Sequence, residues 1–219
     1  MIPTPDIGHL RQPKYRDNVY DPAEDTFALM DALEQDIDTL KALDASLCVE
    51  IGTGSGCVSA FVSQILGTSA AYICTDINAR ATECTIETGA RNKVSLQPVL
   101  TSSVEALRPR VDGAVDLLIF NPPYVVTTEE EEEAGQVRAG LDGAWAGGAS
   151  GTKILDTLIQ NHTIPQLLRR GGRFYVVAIR QNDPPSLVRA MQSIGLEASI
   201  VLQRRANREQ LFIIRAIRP

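Results

Sequence analysis

The stretch Leu47-Cys48-Val49-Glu50-Ile51-Gly52-Thr53-Gly54-Ser55-Gly56-Cys57 leaves the chain few folds to choose from. Its short apolar beginning reads as a buried strand, and alternate glycines then force a tight turn. Val58, Phe61, Val62, Ile65 and Leu66 follow at helical spacing. Strand, glycine turn and helix in that order make the first unit of a doubly wound α/β sheet. A dinucleotide fingerprint wants its third glycine at position 57, where Cys57 stands. The spacing present is G-x-G-x-G, with Glu50 entering the turn. That form suits a cofactor that passes close to the backbone with no pyrophosphate to cradle.

The next strand, Ala71 to Thr75, ends at Asp76-Ile77-Asn78. Asp76 lies where such domains place the carboxylate that binds ribose hydroxyls, and it can also cap the helix expected from Ala79 to Arg91. A third strand, about Ser95 to Leu100, leads to Thr101-Ser102-Ser103, a place for an adenine-binding group.

The fourth strand, Val115 to Phe120, stops at Asn121-Pro122-Pro123-Tyr124, because prolines cannot continue a sheet ladder. A polar amide is thereby fixed at the carboxyl end of a central strand, where open α/β sheets place ligands. Asn121 offers a carbonyl acceptor, Pro122 a backbone carbonyl without a competing N–H, and Tyr124 a flat face. Together they suit a planar –NH2 group, although an Asn-Pro turn that merely closes a strand would read the same way.

Ahead of the first strand, residues 1–19 are polar, proline-containing and aperiodic, and read as an extended arm. Tyr20-Asp21-Pro22-Ala23-Glu24-Asp25-Thr26-Phe27 then opens a helix, with Asp21 as cap, Pro22 at the first helical position and Glu24 completing a capping box. Thr26 sits beside first-turn N–H groups able to hold a carboxylate. A short helix is expected near Ile37 to Leu43. Beyond the fourth strand, Glu129 to Glu133 read as an acidic loop over the site, and Gly140 to Gly151 as a glycine-rich loop whose Trp145 could gate it. A helix from Thr152 towards Leu168, a strand from Arg173 to Ile179 and a helix opened by Pro184-Pro185 follow. The last strands, about Leu196 to Leu202 and Leu211 to Ala216, are joined too closely for a crossover, so the final one runs antiparallel. The whole is a single domain over residues 1–219.

Composition narrows the function classes. The 219 residues are 44% hydrophobic and 22% charged, as in a globular domain. The N-terminus shows neither the basic nor the apolar region of a signal peptide, so a cytosolic protein, present also in the nucleus, is expected. A net charge of −6 gives no basic footprint for nucleic acid; Arg169-Arg170 and Arg204-Arg205 with Arg208 are only local clusters. Cys48, Cys57, Cys74 and Cys84 lack metal-ligand spacing, so reduced structural thiols and no metal are expected.

The order Glu50-Ile-Gly-Thr-Gly-Ser-Gly56, Asp76, Asn121-Pro-Pro-Tyr124 resembles the class I S-adenosylmethionine-dependent methyltransferases with an NPPY site. The resemblance covers about residues 16–217 and is nearest to the HemK-like release factor glutamine N5-methyltransferases. Within those, Tyr20 to Phe27, Cys74-Thr-Asp-Ile-Asn78, Asn121 to Val126 and Ala144-Trp-Ala-Gly-Gly148 resemble the eukaryotic catalytic subunit, which lacks the N-terminal helical domain of bacterial forms. The resemblance implies a Rossmann-like, seven-stranded, mostly parallel sheet with an antiparallel last strand and helices on both faces. It implies that Thr26, Glu50, Gly52, Gly54, Asp76, Ser102, Ser103 and Asn121 bind S-adenosylmethionine. Asn121, Pro122, Pro123 and Tyr124 would hold the acceptor glutamine, with Asn121, Pro122 and Tyr124 catalytic. Where the family usually carries an aspartate for the adenine amino group, this chain has Ser102, which implies weaker cofactor binding. The implied partners are a small zinc-binding activator on the third-strand edge, around Val94, Leu96, Val99 and Leu100, and a class I release factor with its GTPase.

Three other readings fit the same residues. An adenine N6-methyltransferase would present the same –NH2 to the motif, against the acidic charge and without a target-recognition domain. Lysine methylation requires an ammonium to lose its proton first. A non-catalytic scaffold would keep the fold, against an intact Asn121 to Tyr124. Methylation of the glutamine in the glycine-glycine-glutamine loop of a release factor is the reading carried forward.

Overall fold

The structure is a computed structural model, and it describes residues 1–123, 152–206 and 209–219. Its strands are β1 (Leu47–Ile51), β2 (Ala71–Asp76), β3 (Leu96–Leu100), β4 (Val115–Phe120), β5 (Leu168–Ile179), β6 (Glu197–Ala206) and β7 (Glu209–Ile217). They form a seven-stranded sheet in the order β3-β2-β1-β4-β5-β7-β6. The pairs from β3 to β5 are parallel, and β7 runs antiparallel to both β5 and β6. The order reverses between β1 and β4, so Ile51 and Phe120 are register partners at the switch point. Gly52 and Asn121 are the next residues of those strands, and open α/β sheets bind ligands in that crevice.

The helices are α1 (Pro13–Arg16), α2 (Glu24–Gln35), α3 (Ile37–Lys41), α4 (Cys57–Leu66), α5 (Ala79–Arg91), α6 (Lys153–Gln160), α7 (Thr163–Leu167) and α8 (Pro184–Ser193). Strand β4 is buried along its whole length, and its side chains alternate between two cores. Leu117 and Ile119 join Leu29, Leu33, Phe61 and Val62 on the α2–α4 face. Leu118 and Phe120 join Leu155, Leu158, Leu187 and Met191 on the α6–α8 face. At about 25 cal/mol per Å2 of apolar surface removed from water, such double-sided burial makes β4 the stiffest place to mount a functional group.

The polar exception in β4 is Asp116, which is 2% exposed. It accepts from the N–H groups of Ser46 and Leu47 at 2.7 and 2.8 Å and pairs with Arg169. These bonds tie the start of β1 to β4 and β5.

Four expectations are corrected. The arm is not extended: Gly8–Arg11 forms a 3-10 turn and α1 a helical turn. Leu10, Tyr15 and Val19 bury against Ala81 and Cys84 of α5, while Asp6 pairs with Arg91. The cap of α2 is not Asp21: the helix starts at Glu24, behind an extended Ala23 that makes no side-chain cap bond. The helix expected from Thr152 towards Leu168 breaks into α6 and α7 at His162, whose φ is +55°. Strand β5 begins at Leu168 rather than Arg173 and carries a bulge between the pairs Val115↔Leu168 and Leu117↔Arg173. Gly172 permits that bulge, since a Cβ there would lie 2.7 Å from the Val115 carbonyl oxygen.

Candidate active site

The glycine turn is laced to the neighbouring strand ends. Gly52, Gly54 and Gly56 all have positive φ. The Thr53 N–H donates to the Thr75 carbonyl at 2.9 Å, and the Gly54 N–H to Asp76 Oδ2 at 2.8 Å. From α5, Thr88 Oγ1 donates to the Ser55 carbonyl at 2.5 Å. Gly56 is required twice over: its φ is +76°, and a Cβ would lie 3.1 Å from Thr85 Cα. Beside Gly52, by contrast, Phe120 is the one residue among those described that comes within 4 Å of such an atom, at 3.8 Å.

Glu50 lies beneath this turn, 2% exposed. Its Oε2 accepts from Thr53 Oγ1 at 3.1 Å, from the Ser59 N–H at 3.1 Å and from Ser59 Oγ. Burial pushes its carboxyl up to about 7 despite those donors. The Glu50 carboxylate thus bonds to the turn and to α4. It supports the cradle from below.

Asp76 stands at the end of β2, partly exposed. Oδ2 takes the Gly54 N–H, and Oδ1 takes the Asn78 N–H at 2.8 Å. Each oxygen keeps a lone pair for a further donor such as a ribose hydroxyl. Burial raises its pKa, opposed by those backbone N–H groups. The helix α5 is capped by Asn78, whose Oδ1 accepts from the Arg80 N–H, rather than by Asp76. Ser102 and Ser103 follow β3, adjoining Asp76 through the bond from the Thr101 N–H to its carbonyl.

At the end of β4, Asn121 Nδ2 donates to Asp25 Oδ2 at 2.9 Å. Its Oδ1 is buried and has no hydrogen-bond partner among the described residues. An unpaired buried acceptor costs about 1–3 kcal/mol, so a donor is wanted there. Pro122 is buried, and Pro123 is partly exposed. Tyr124, the acidic stretch Glu129 to Glu133 and Trp145 lie outside the described residues.

Asp25 is a buried residue of this site that the sequence reading did not single out. It is 3% exposed, and Oδ1 accepts from Tyr20 Oη at 2.8 Å and from the Thr26 N–H at 2.7 Å. Of the first-turn N–H groups expected to be open to a ligand carboxylate, that of Thr26 is thus taken by Asp25, to which Thr26 Oγ1 also donates at 3.3 Å. An acid in a helix first turn reads as a dipole partner, and nothing local links Asp25 to a residue 96 positions away.

Comparison with known proteins now bears on this geometry. Residues 25–137 match the methyltransferase small domain. The chain is 44% identical over 214 residues to "Methyltransferase HEMK2" of Mus musculus, covering 98% of this chain and 96% of that protein. The chain belongs to this methyltransferase family. It is also 36% identical to "eRF1 methyltransferase catalytic subunit mtq2" of Schizosaccharomyces pombe, over all of this chain and 96% of that one. Among solved structures, the E. cuniculi Mtq2-Trm112 complex "responible for the methylation of eRF1 translation termination factor" superposes with a TM-score of 0.68 at 23% identity, covering 92% of this chain and 99% of that one. The N-terminal domain of human METTL16 in complex with SAH shares the fold, with a TM-score of 0.62 at 12% identity and coverage of 92% and 73%. The sheet order itself sets the glycine turn after β1 between the strand ends that carry Asp76 and Asn121.

Proposed function

We propose that this methyltransferase methylates the glutamine N5 nitrogen in the glycine-glycine-glutamine motif of the translation termination factor eRF1, using S-adenosylmethionine. The observation that carries this reading is Asn121 Oδ1, a buried acceptor with no partner among the described residues at the carboxyl end of β4. Relatives named for HEMK2 and for the eRF1 methyltransferase catalytic subunit support the substrate.

The residues fit the cofactor. Asp76 retains acceptor capacity beside the glycine turn, and among the described residues a Cβ at Gly52 would meet only Phe120, at an ordinary contact distance of 3.8 Å. Thr26, Glu50, Gly52, Gly54, Asp76, Ser102, Ser103 and Asn121 form the proposed binding set, with Glu50 acting by holding the turn. Bound S-adenosylmethionine supplies a methyl group already activated on a sulfonium sulfur.

The protein's own task is orientation. A glutamine amide nitrogen is a weak nucleophile because its lone pair is delocalised into the carbonyl. Asn121 Oδ1 and the Pro122 carbonyl, as a pair of acceptors, hold the two N–H bonds and turn the lone pair towards the methyl group. Tyr124 completes the proposed acceptor site. Positioning of this kind contributes up to about 7–11 kcal/mol. The nitrogen becomes acidic once it carries the methyl group, so the site has no need of a strong base.

The proposed partner is a small zinc-binding activator, as Trm112 accompanies Mtq2 in the solved complex. Strand β3 is a sheet edge, and Leu100, Ile86 and Ile77 on the β2-α5-β3 unit are 61%, 57% and 41% exposed. Of the four side chains expected at this edge, Val94 and Leu96 are buried in the fold and Val99 is partly buried, so Leu100 with Ile86 and Ile77 makes the exposed apolar surface that invites coverage. The proposed compartment is the cytosol, and also the nucleus, since translation termination supplies the substrate.

Labelled S-adenosylmethionine with purified eRF1, with and without the activator, tests this reading. Transfer to the release-factor glutamine by the wild type, lost in Asn121→Ala, is the expected result. Transfer to DNA, RNA or a lysine side chain instead would overturn the substrate, and no transfer to any of them would overturn the activity.

A further inference from the structure

The function proposed above needs Asn121 to present its oxygen, not its –NH2, to the substrate amide. An asparagine side chain is nearly symmetric, and the two orientations exchange an acceptor for a pair of donors. With the donors inward, the substrate –NH2 would meet another –NH2, and binding would be repulsive. Something must choose.

We propose that Asp25, held by Tyr20, is the positioning residue that fixes Asn121 in its acceptor orientation. The carboxylate is acceptor-only towards its neighbours: Tyr20 Oη and the Thr26 N–H donate to Oδ1, and Asn121 Nδ2 donates to Oδ2. Flipping Asn121 would set its Oδ1 against Asp25 Oδ2 at the 2.9 Å now occupied by a hydrogen bond, two acceptors facing each other. Asp25 cannot yield by rotating, since it is 3% exposed and its other oxygen is fixed by three donors, Tyr20 Oη and the N–H and Oγ1 of Thr26. The result is the unpartnered Asn121 Oδ1 already described.

The carboxylate also acts through the amide. A negative group behind Nδ2 draws electron density towards Oδ1, and hydrogen bonds in a chain polarise one another. Oδ1 becomes the stronger acceptor, and the substrate nitrogen gains positive charge as it attacks. The stabilisation therefore grows towards the transition state, which is the condition for raising kcat rather than only lowering KM. Tyr20 also stands next to the glycine turn, since a Cβ added at Gly54 would lie 3.8 Å from its own Cβ. One side chain thus adjoins the cofactor turn and braces the acceptor site.

The test is methyl transfer to eRF1 by the heterodimer at saturating cofactor, comparing wild type, Asp25→Asn, Tyr20→Phe, Asn121→Asp and the exchange Asp25→Asn with Asn121→Asp. In Asp25→Asn the new amide can donate to a flipped Asn121, which then turns its –NH2 inward. We expect kcat to fall about a hundredfold and KM for eRF1 to change less than about threefold. Tyr20→Phe, which loses one hydroxyl, should lower kcat about three- to tenfold. Asn121→Asp sets two carboxylates against each other and should be as poor as Asp25→Asn. The exchange restores one donor facing one acceptor and should be at least about tenfold faster than either single change, a coupling that loss of structure does not produce. If the wild type transfers methyl and Asp25→Asn keeps its kcat, this inference is overturned and the proposed function stands. An exchange variant no better than the poorer single change overturns it equally. If the wild type transfers nothing to eRF1, the proposed function falls and the inference with it.

Discussion

The buried Glu50 carboxyl makes the stability of this fold depend on pH in a defined direction. Its carboxyl is raised from 4.5 to about 7 by burial. Below pH 4.5 the group is protonated whether the chain is folded or not. Between 4.5 and 7 the unfolded chain ionises while the folded protein holds the proton, so stability falls as pH rises. Above 7 both forms ionise, and the loss levels off. The full shift of about 2.5 units corresponds to about 3 kcal/mol, of which about 2 to 3 kcal/mol falls between pH 5 and 8. Glu50→Gln keeps the size and the acceptor oxygen for Ser59 and Thr53 but cannot ionise. Urea unfolding of both proteins at pH 5, 6, 7 and 8 isolates Glu50 by difference, since other titrating groups are common to the pair. The wild type should lose about 2 to 3 kcal/mol relative to the variant over that range. Parallel profiles, or a wild type that gains on the variant as pH rises, would refute the reasoning and mean that the Ser59 and Thr53 donors outweigh burial.

Gly56→Ala combines a left-handed backbone with a Cβ 3.1 Å from Thr85 Cα and should cost about 2 to 3 kcal/mol in chemical denaturation. Leu100→Arg, at a side chain already 61% exposed, should leave folding within about 0.5 kcal/mol yet weaken the heterodimer at least about tenfold in a titration with the activator. Ser102→Asp, placed after β3, restores a charged acceptor for an adenine amino group; calorimetry should show cofactor binding about five- to tenfold tighter.

Much of the architecture was legible because its cues are local. The apolar run of β4, the glycines after β1 and the close spacing of β6 and β7 each declare their element within a few residues. The strand-end positions of Asp76 and Asn121 follow from those elements alone. The rest depended on tertiary contact. Leu10, Tyr15 and Val19 show no helical period, yet they bury because α5 offers Ala81 and Cys84 to cover them. Asp21 has ideal cap chemistry, but the helix starts later, where the Asp25 carboxylate takes the Thr26 N–H itself. The bond between Asp25 and Asn121 could not be read from spacing, because the two residues lie 96 positions apart and meet only in the tertiary fold. Its visible sequence signal, an acid beside Thr26, belongs equally to ordinary helix electrostatics.

The packing of the N-terminal arm on α5 has a thermodynamic consequence. His9 Nε2 lies 3.0 Å from Thr88 Oγ1, and Tyr15 Oη donates to Glu87 at 3.1 Å, so the arm rests on the same helix that braces the Ser55 carbonyl and exposes Ile86. The arm, the glycine turn and the exposed Ile86 therefore share one scaffold, α5, and a partner on the proposed β3 edge is expected to act on all three. Linkage is reciprocal: whatever tightens the edge also suppresses fraying of the segment that leads into Tyr20. Amide exchange in residues 1–19 is therefore expected to slow when the proposed activator covers the β3 edge.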